Sequence, residues 1–250
     1  MNYRLTIQYD GTDFAGWQTQ GQGERTVQGE LARVLSLLEG REVVVHGAGR
    51  TDAGVHAEAQ VATVMLGRGL GPEKVKDAIN GNVGRDVRVI DARTAPEDFH
   101  ARFSARGKTY CYRVFNERFM SPFWLRYAHQ ESRPLDLAAM RSVAPLFVGE
   151  HDWTAFSSAQ AEVSSRVRTV TWLSVEERND SRGRGRTIEI QVSADGFLRY
   201  MVRAIAGTLL SVGRGELCER EVSRAVGGGD RPLAAVTAPA RGLTLVEVQY

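Results

Sequence analysis

The chain has 250 residues, 42% hydrophobic and 25% charged, with a formal net charge of +2. This is the composition of an ordinary soluble globular protein of one or two domains. No apolar run reaches the ~20 residues that cross a bilayer, and the N-terminal stretch enters a strand pattern rather than a signal peptide. Cys111 and Cys218 are the only cysteines and lack CxxC spacing. That argues against a disulfide framework or a structural zinc site, and fits a cytoplasmic protein without a membrane partner.

Residues 3–9 alternate and predict a strand. Asp10-Gly11-Thr12-Asp13 is a turn signal. Thr26 is a good N-cap for a helix that sets Val27, Leu31, Val34, Leu35 and Leu38 on one face and stops at Gly40. Strands are predicted over 42–47 and 58–66, a helix over 72–79 with Pro72 in its first turn, and a strand over 86–93. The order is βαββαβ. It recurs in the second half: a strand over 107–116, a helix capped by Asp136, strands over 167–177 and 187–194, a long helix over 197–212, a short one over 219–226 and a closing strand over 242–249. The linker 179–186, rich in arginine and glycine, predicts a hairpin loop.

That order is the split βαβ, or ferredoxin-like, motif. The predicted fold class is α+β, with two such subdomains, 1–105 and 106–250. Their antiparallel sheets would form a central platform with helices on the outer face, and a site in the cleft between halves.

The stretch from His46 to Ala57, HGAGRTDAGVHA, lies between two predicted strands and is rich in glycine, yet carries Arg50 and Asp52. Glycines let backbone approach a ligand closely. Asp52 is the candidate catalytic group, with Arg50 facing the substrate. The alternative is a tight connection in which Asp52 accepts backbone N–H bonds. Residues 99–113 interleave aromatic and basic side chains, as a strand surface on RNA would; a half-buried strand with a wet arginine face reads the same way. Arg199 and Arg203 stand four apart, on one face of the predicted helix. A half-buried arginine there needs an anion, and Asp52 would suit it. Three of the 32 basic residues are lysine and the rest arginine. That excess fits either phosphate and base recognition or a codon bias.

Other chemistries fare worse. Asp52 and His56 could share a metal only on a helix, which the glycines oppose, and no third ligand stands nearby. There is no GxSxG elbow, and Gly47-Ala48-Gly49 lacks the Lys-Thr ending of a phosphate loop. A carboxylate glycosidase would require Asp10 or Asp13 as a second acid at ~5–9.5 Å.

Taken together, YDGTDFAGWQTQ, GAGRTDAGVHA, FHARFSARGKTYCYR, GFLRYMVRAIAGTLLSVGRG and APARGLTLVEV resemble the tRNA pseudouridine synthase family of the TruA type. They run in family order from residue 9 to residue 248. One departure is Asn80-Gly81-Asn82-Val83-Gly84, where the family has an Asn…Leu-Pro segment. The resemblance implies isomerisation of uridine to pseudouridine at positions 38 to 40 of the tRNA anticodon stem-loop, by a homodimer, with the target base flipped and no cofactor or metal. It implies Asp52 as the essential carboxylate and Arg203 as its partner. Tyr110 would pack on the base, Arg50 would fill the space the flipped nucleotide leaves, and Leu245 would belong to the pocket wall. The rival reading is an RNA-binding module without chemistry, against which Asp52, Tyr110 and Arg203 occur together.

Overall fold

The computed structural model describes residues 1–21, 23–158, 164–180, 185–228 and 236–250, with Asp180 described by its backbone alone. In chain order the first elements are β1 (Asn2–Tyr9), α1 (Val27–Glu39), β2 (Val45–Gly47), β3 (His56–Met65), α2 (Pro72–Asn80) and β4 (Val87–Thr94). There follow β5 (Gly107–Phe115), β6 (His129–Gln130), α3 (Leu137–Val143), β7 (Gly149–Asp152), β8 (Val167–Asp180) and β9 (Gly185–Ala194). The chain ends with α4 (Met201–Gly213), α5 (Glu219–Val226) and β10 (Leu243–Gln249). The protein is α+β, and its strands pair mostly antiparallel. Among the described residues no helix is long and apolar enough to cross a membrane.

The chain divides into two compact units, Met1–Arg106 with Thr244–Tyr250, and Gly107–Leu243. In the first, β1 is central and pairs with β3 on one side and β4 on the other. Its alternation is what buries Tyr3, Leu5 and Ile7 in one core with Leu31 and Leu35 of α1 and Val75 and Ile79 of α2. Thr26 caps α1 by accepting the Gly29 N–H at 3.2 Å, and Gly40, at φ 71°, ends it. The far edge of β3 is shared. Antiparallel β2 lies along Ala62–Val64, and parallel β10 pairs Thr244 with His56 and Leu245 with Ala57. The last strand, expected in the second half, thus joins the first unit from Thr244 onward.

Arg25 ties three parts of this unit together. It donates to both carboxylate oxygens of Asp86 at 2.6 and 2.9 Å and to Glu30 at 3.1 Å, and its guanidinium lies 4.2 Å from the Phe14 ring centre. These charge-assisted bonds hold the Asp86 carboxyl below its ordinary 3.8. Folding favours the charged form, so the stabilisation is present above about pH 4 and disappears as the pH falls through the folded-state pKa. Asp86→Asn is expected to cost about 1–3 kcal/mol at pH 7. Its unfolding midpoint should converge on that of the wild type in acid titrations; a gap that stays constant down to pH 2 would remove the pair from the account.

The second unit orders its strands β5-β9-β8-β7, all antiparallel, with the two-residue β6 parallel to β5. Asp136 caps α3 by accepting the Ala139 N–H at 3.0 Å. Phe147, Trp153 and Phe156 form an aromatic cluster with ring centres 5.6–6.5 Å apart. Helix α4 is buried nearly all round, which fits its lack of a polar stripe. It starts four residues later than the sequence predicts. Tyr200 adopts φ 69°, a left-handed conformation that ends any helix approaching from Phe197. Arg199 therefore lies outside α4, and the expected Arg199–Arg203 helix face does not form. The two guanidiniums instead lie 4.9 and 5.0 Å from the centre of the Tyr200 ring. The tip of the 179–186 linker, residues 181–184, lies outside the described residues.

Candidate active site

Asp52 sits in the connection between β2 and β3. Its carbonyl accepts the Val55 N–H at 3.1 Å, closing a four-residue turn with Gly54 at φ 77° in third place. The flanks of this turn are bonded to the body of the first unit. Ala48 N–H donates to Val61 O at 2.7 Å, Gln60 Nε2 to Gly49 O at 2.9 Å, and Trp17 N–H to Thr51 O at 3.0 Å. The Thr51 hydroxyl and the Tyr9 phenol share a bond of 2.8 Å. Burial pushes the Tyr9 phenol up to about 12, so it keeps its proton at neutral pH. Gly16, at φ 105°, presses its backbone against Thr51 and Ala53, and a Cβ there would fall 2.7 Å from Thr51 O. Asp52 is half-buried, and Arg50 beside it is exposed. The turn that carries the Asp52 carboxylate is thus held at its flanks by bonds from β1, β3 and the Trp17 backbone.

The first motif, YDGTDFAGWQTQ, supplies much of this clamp. Tyr9, Gly16 and Trp17 hold the turn, and Gly11 donates its N–H to His56 Nδ1 at 3.0 Å. That bond occupies the nitrogen lone pair of the buried His56, so Nδ1 cannot also donate to Asp10, 3.3 Å away. In the sequence this stretch stands out by its richness, with no local sign of this task. The missing signal was partnership across some 40 residues of sequence, as between Tyr9 and Thr51. Asp10 itself accepts the N–H and hydroxyl of Thr12, at 3.0 and 2.5 Å, as a turn carboxylate does. Among the described residues no three His, Cys, Asp or Glu side chains converge as a metal site would require. Leu245 is buried on β10, opposite Ala57 and five residues beyond Asp52 along the turn and strand.

The second unit holds Tyr110 and Arg203. Tyr110 is buried on β5, with the Phe197 ring edge-on at 5.1 Å. Arg203 is half-buried in the first turn of α4. Its charge, with that of Arg241, reaches the phenol of Tyr112, two positions beyond Tyr110. Burial raises the Tyr112 pKa against that pull, and its hydroxyl has no hydrogen-bond partner among the described residues.

Known proteins give this geometry a context. The profile of a family described as tRNA pseudouridine synthase matches residues 5–104 and 143–250. The tRNA pseudouridine synthase A of Bacillus sp. strain KSM-64 is 40% identical over 249 residues, covering 100% of this chain and 99% of the relative. That of Ruminiclostridium cellulolyticum is 41% identical over 247 residues, covering 99% and 98%. Among solved structures, the archaeal box H/ACA sRNP Nop10-Cbf5 complex matches at 15% identity and a TM-score of 0.35, over 83% of this chain and 43% of that one, too slight a likeness to bear on fold or function. The full-length matches make the chain an RNA-modifying isomerase. It belongs to the tRNA pseudouridine synthase family, whose members convert uridine in tRNA to pseudouridine.

Proposed function

We propose that this enzyme modifies uridines at positions 38 to 40 in the anticodon stem-loop of tRNA, with Asp52 as its essential carboxylate. The observation that carries the role of Asp52 is the clamped turn, which fixes a carboxylate without burying it. In the reaction the N1–C1′ bond breaks, the uracil turns, and C5 bonds to C1′. C5 gives up its proton and N1 takes one up, so nothing is added or lost overall and no cofactor is required. Positive charge develops at C1′ as the first bond breaks, and an anion stabilises it. The Asp52 carboxylate can do this by attacking C1′ or by removing a ribose proton to give a glycal.

The flipped uracil is taken to stack on Tyr110, whose ring offers a flat face and whose hydroxyl can assist loss of the C5 proton. Arg203 is the partner of Asp52, Arg50 fills the gap left in the RNA, and Leu245 contributes to the pocket wall. The reading includes a pseudo-two-fold pair of βαββαβ units, a homodimer that shares each tRNA between subunits, and work in the cytoplasm. It is supported by the family membership, by the quoted motifs, and by an acidic turn with arginine beside it.

Tritium release from tRNA carrying uridine tritiated at C5 tests the reaction directly. Wild-type protein is expected to release label from tRNAs with uridine in the anticodon arm, and to leave those without it untouched. Absence of release from any such tRNA would favour a binding module. Tyr110→Phe keeps the stacking ring and removes the hydroxyl. It is expected to slow release by about 10²–10⁴-fold, the range of a positioned acid or base, with KM little changed. An unaltered rate would take proton transfer away from that oxygen.

A further inference from the structure

Arg203 is held by more than its helix. Its Nε–H donates to Ala238 O at 2.8 Å, and the Ala238 N–H donates back to Arg203 O at 3.0 Å. This reciprocal pair clasps a strap, residues 236–238, to the first turn of α4. One helical turn onward, on the same face, stands Gly207. A Cβ at 207 would lie 1.7 Å from Val236 O and 3.2 Å from Ala238 N, so the strap backbone occupies the place of a side chain. At the near end of the helix, Tyr200 is the only non-glycine residue with positive φ among the described residues. In that conformation the Cβ crowds the following carbonyl oxygen, so the backbone is strained. The same conformation starts α4 where the Arg203 guanidinium lies 5.0 Å from the Tyr200 ring centre. A strained residue persists where its surroundings over-determine it, and such residues cluster at working sites.

We propose that Gly207 and the strap it admits form a positioning device for Arg203. The absent side chain lets Val236 O settle against the helix, and this fixes Ala238 O as acceptor for the Arg203 Nε–H. The inference rests on the proposed role of Arg203 in turnover. A methyl group at 207 must move the strap by more than an ångström, and the acceptor of Arg203 moves with it. Misplacement on that scale can cost about 10²-fold in rate. The strap has somewhere to go. A cavity of about 340 Å³ is lined by Gly207, Leu210, His129 and residues 236–239, so displacement need not unfold the unit.

The test is kinetic, on full-length protein with tRNA, using Gly207→Ala, Arg203→Lys and the double variant, with Tm recorded for each. Gly207→Ala is expected to lower kcat about 10–100-fold and to leave KM within about threefold. In the Arg203→Lys background the same substitution should cost less than about threefold more, because the group it positions is already altered. Equal losses in both backgrounds, or an unchanged kcat, would overturn the inference. Wild-type kcat for Arg203→Lys alone would instead overturn the role of Arg203, and the inference with it. Should Gly207→Ala fail to melt cooperatively, Ala238→Pro takes its place. It removes the amide that bonds Arg203 O, at a residue that already precedes Pro239 and so favours extended backbone. The same kcat loss and the same coupling to Arg203→Lys are expected, and additive losses overturn the inference equally.

Discussion

Asp52→Asn is expected to abolish pseudouridine formation, by about 10⁴-fold or more, while tRNA affinity stays within about tenfold. Asparagine has nearly the shape of aspartate, so the turn should keep its form. Its clamps run through other groups, the Thr51 carbonyl and hydroxyl, Gly49 O and the Val55 N–H. What disappears is the negative charge, and with it both ways in which a carboxylate could act at C1′. Binding should persist because RNA affinity comes mostly from cationic side chains on phosphate. Tritium release and filter binding on the same preparations separate the two. Residual release above about 1% of wild type would mean that another group carries the reaction. A parallel collapse of affinity would recast Asp52 as a binding residue.

Trp17→Ala should produce the largest loss of stability outside the chemistry, about 3–5 kcal/mol in the first unit. The indole is 1% exposed, and its ring centre lies 6.2 Å from that of Tyr9. Truncation leaves a void that the surrounding strands can only partly close. The same residue donates its backbone N–H to Thr51 O, one position from Asp52. Loss of the ring should therefore loosen the turn and lower kcat as well as the unfolding midpoint, by roughly 10 °C or more. Denaturant melts and single-turnover kinetics would measure both. A stability change under about 1 kcal/mol would mean that the indole is not packed as described.

The sequence by itself determined most elements, because their causes are local. Thr26 offers a capping oxygen three residues from the amide it binds, Gly40 can turn left-handed, and the alternation of residues 3–9 separates a wet face from a dry one within seven residues. The acidic turn was legible for the same reason, since Asp52 and Gly54 stand within one β-turn. Two short strands, β6 and β7, were not. β7, Gly-Glu-His-Asp, has no apolar alternation and exists because β8 offers it a partner.

Only the tertiary structure decided the rest. The pairing of β10 with β3 joins residues almost 190 positions apart, and nothing within β10 distinguishes one strand edge from another. Tyr200 looks like a helix residue, and α4 begins after it because the surroundings make a left-handed backbone affordable there. The clamp on Asp52, from Tyr9, Gly16, Trp17 and Gln60, and the strap on Arg203 are likewise long-range. Propensity acts over one or two turns of chain. The free energy that places a functional side chain comes from packing and hydrogen bonds between segments that the sequence keeps apart, and only the folded chain brings them into contact.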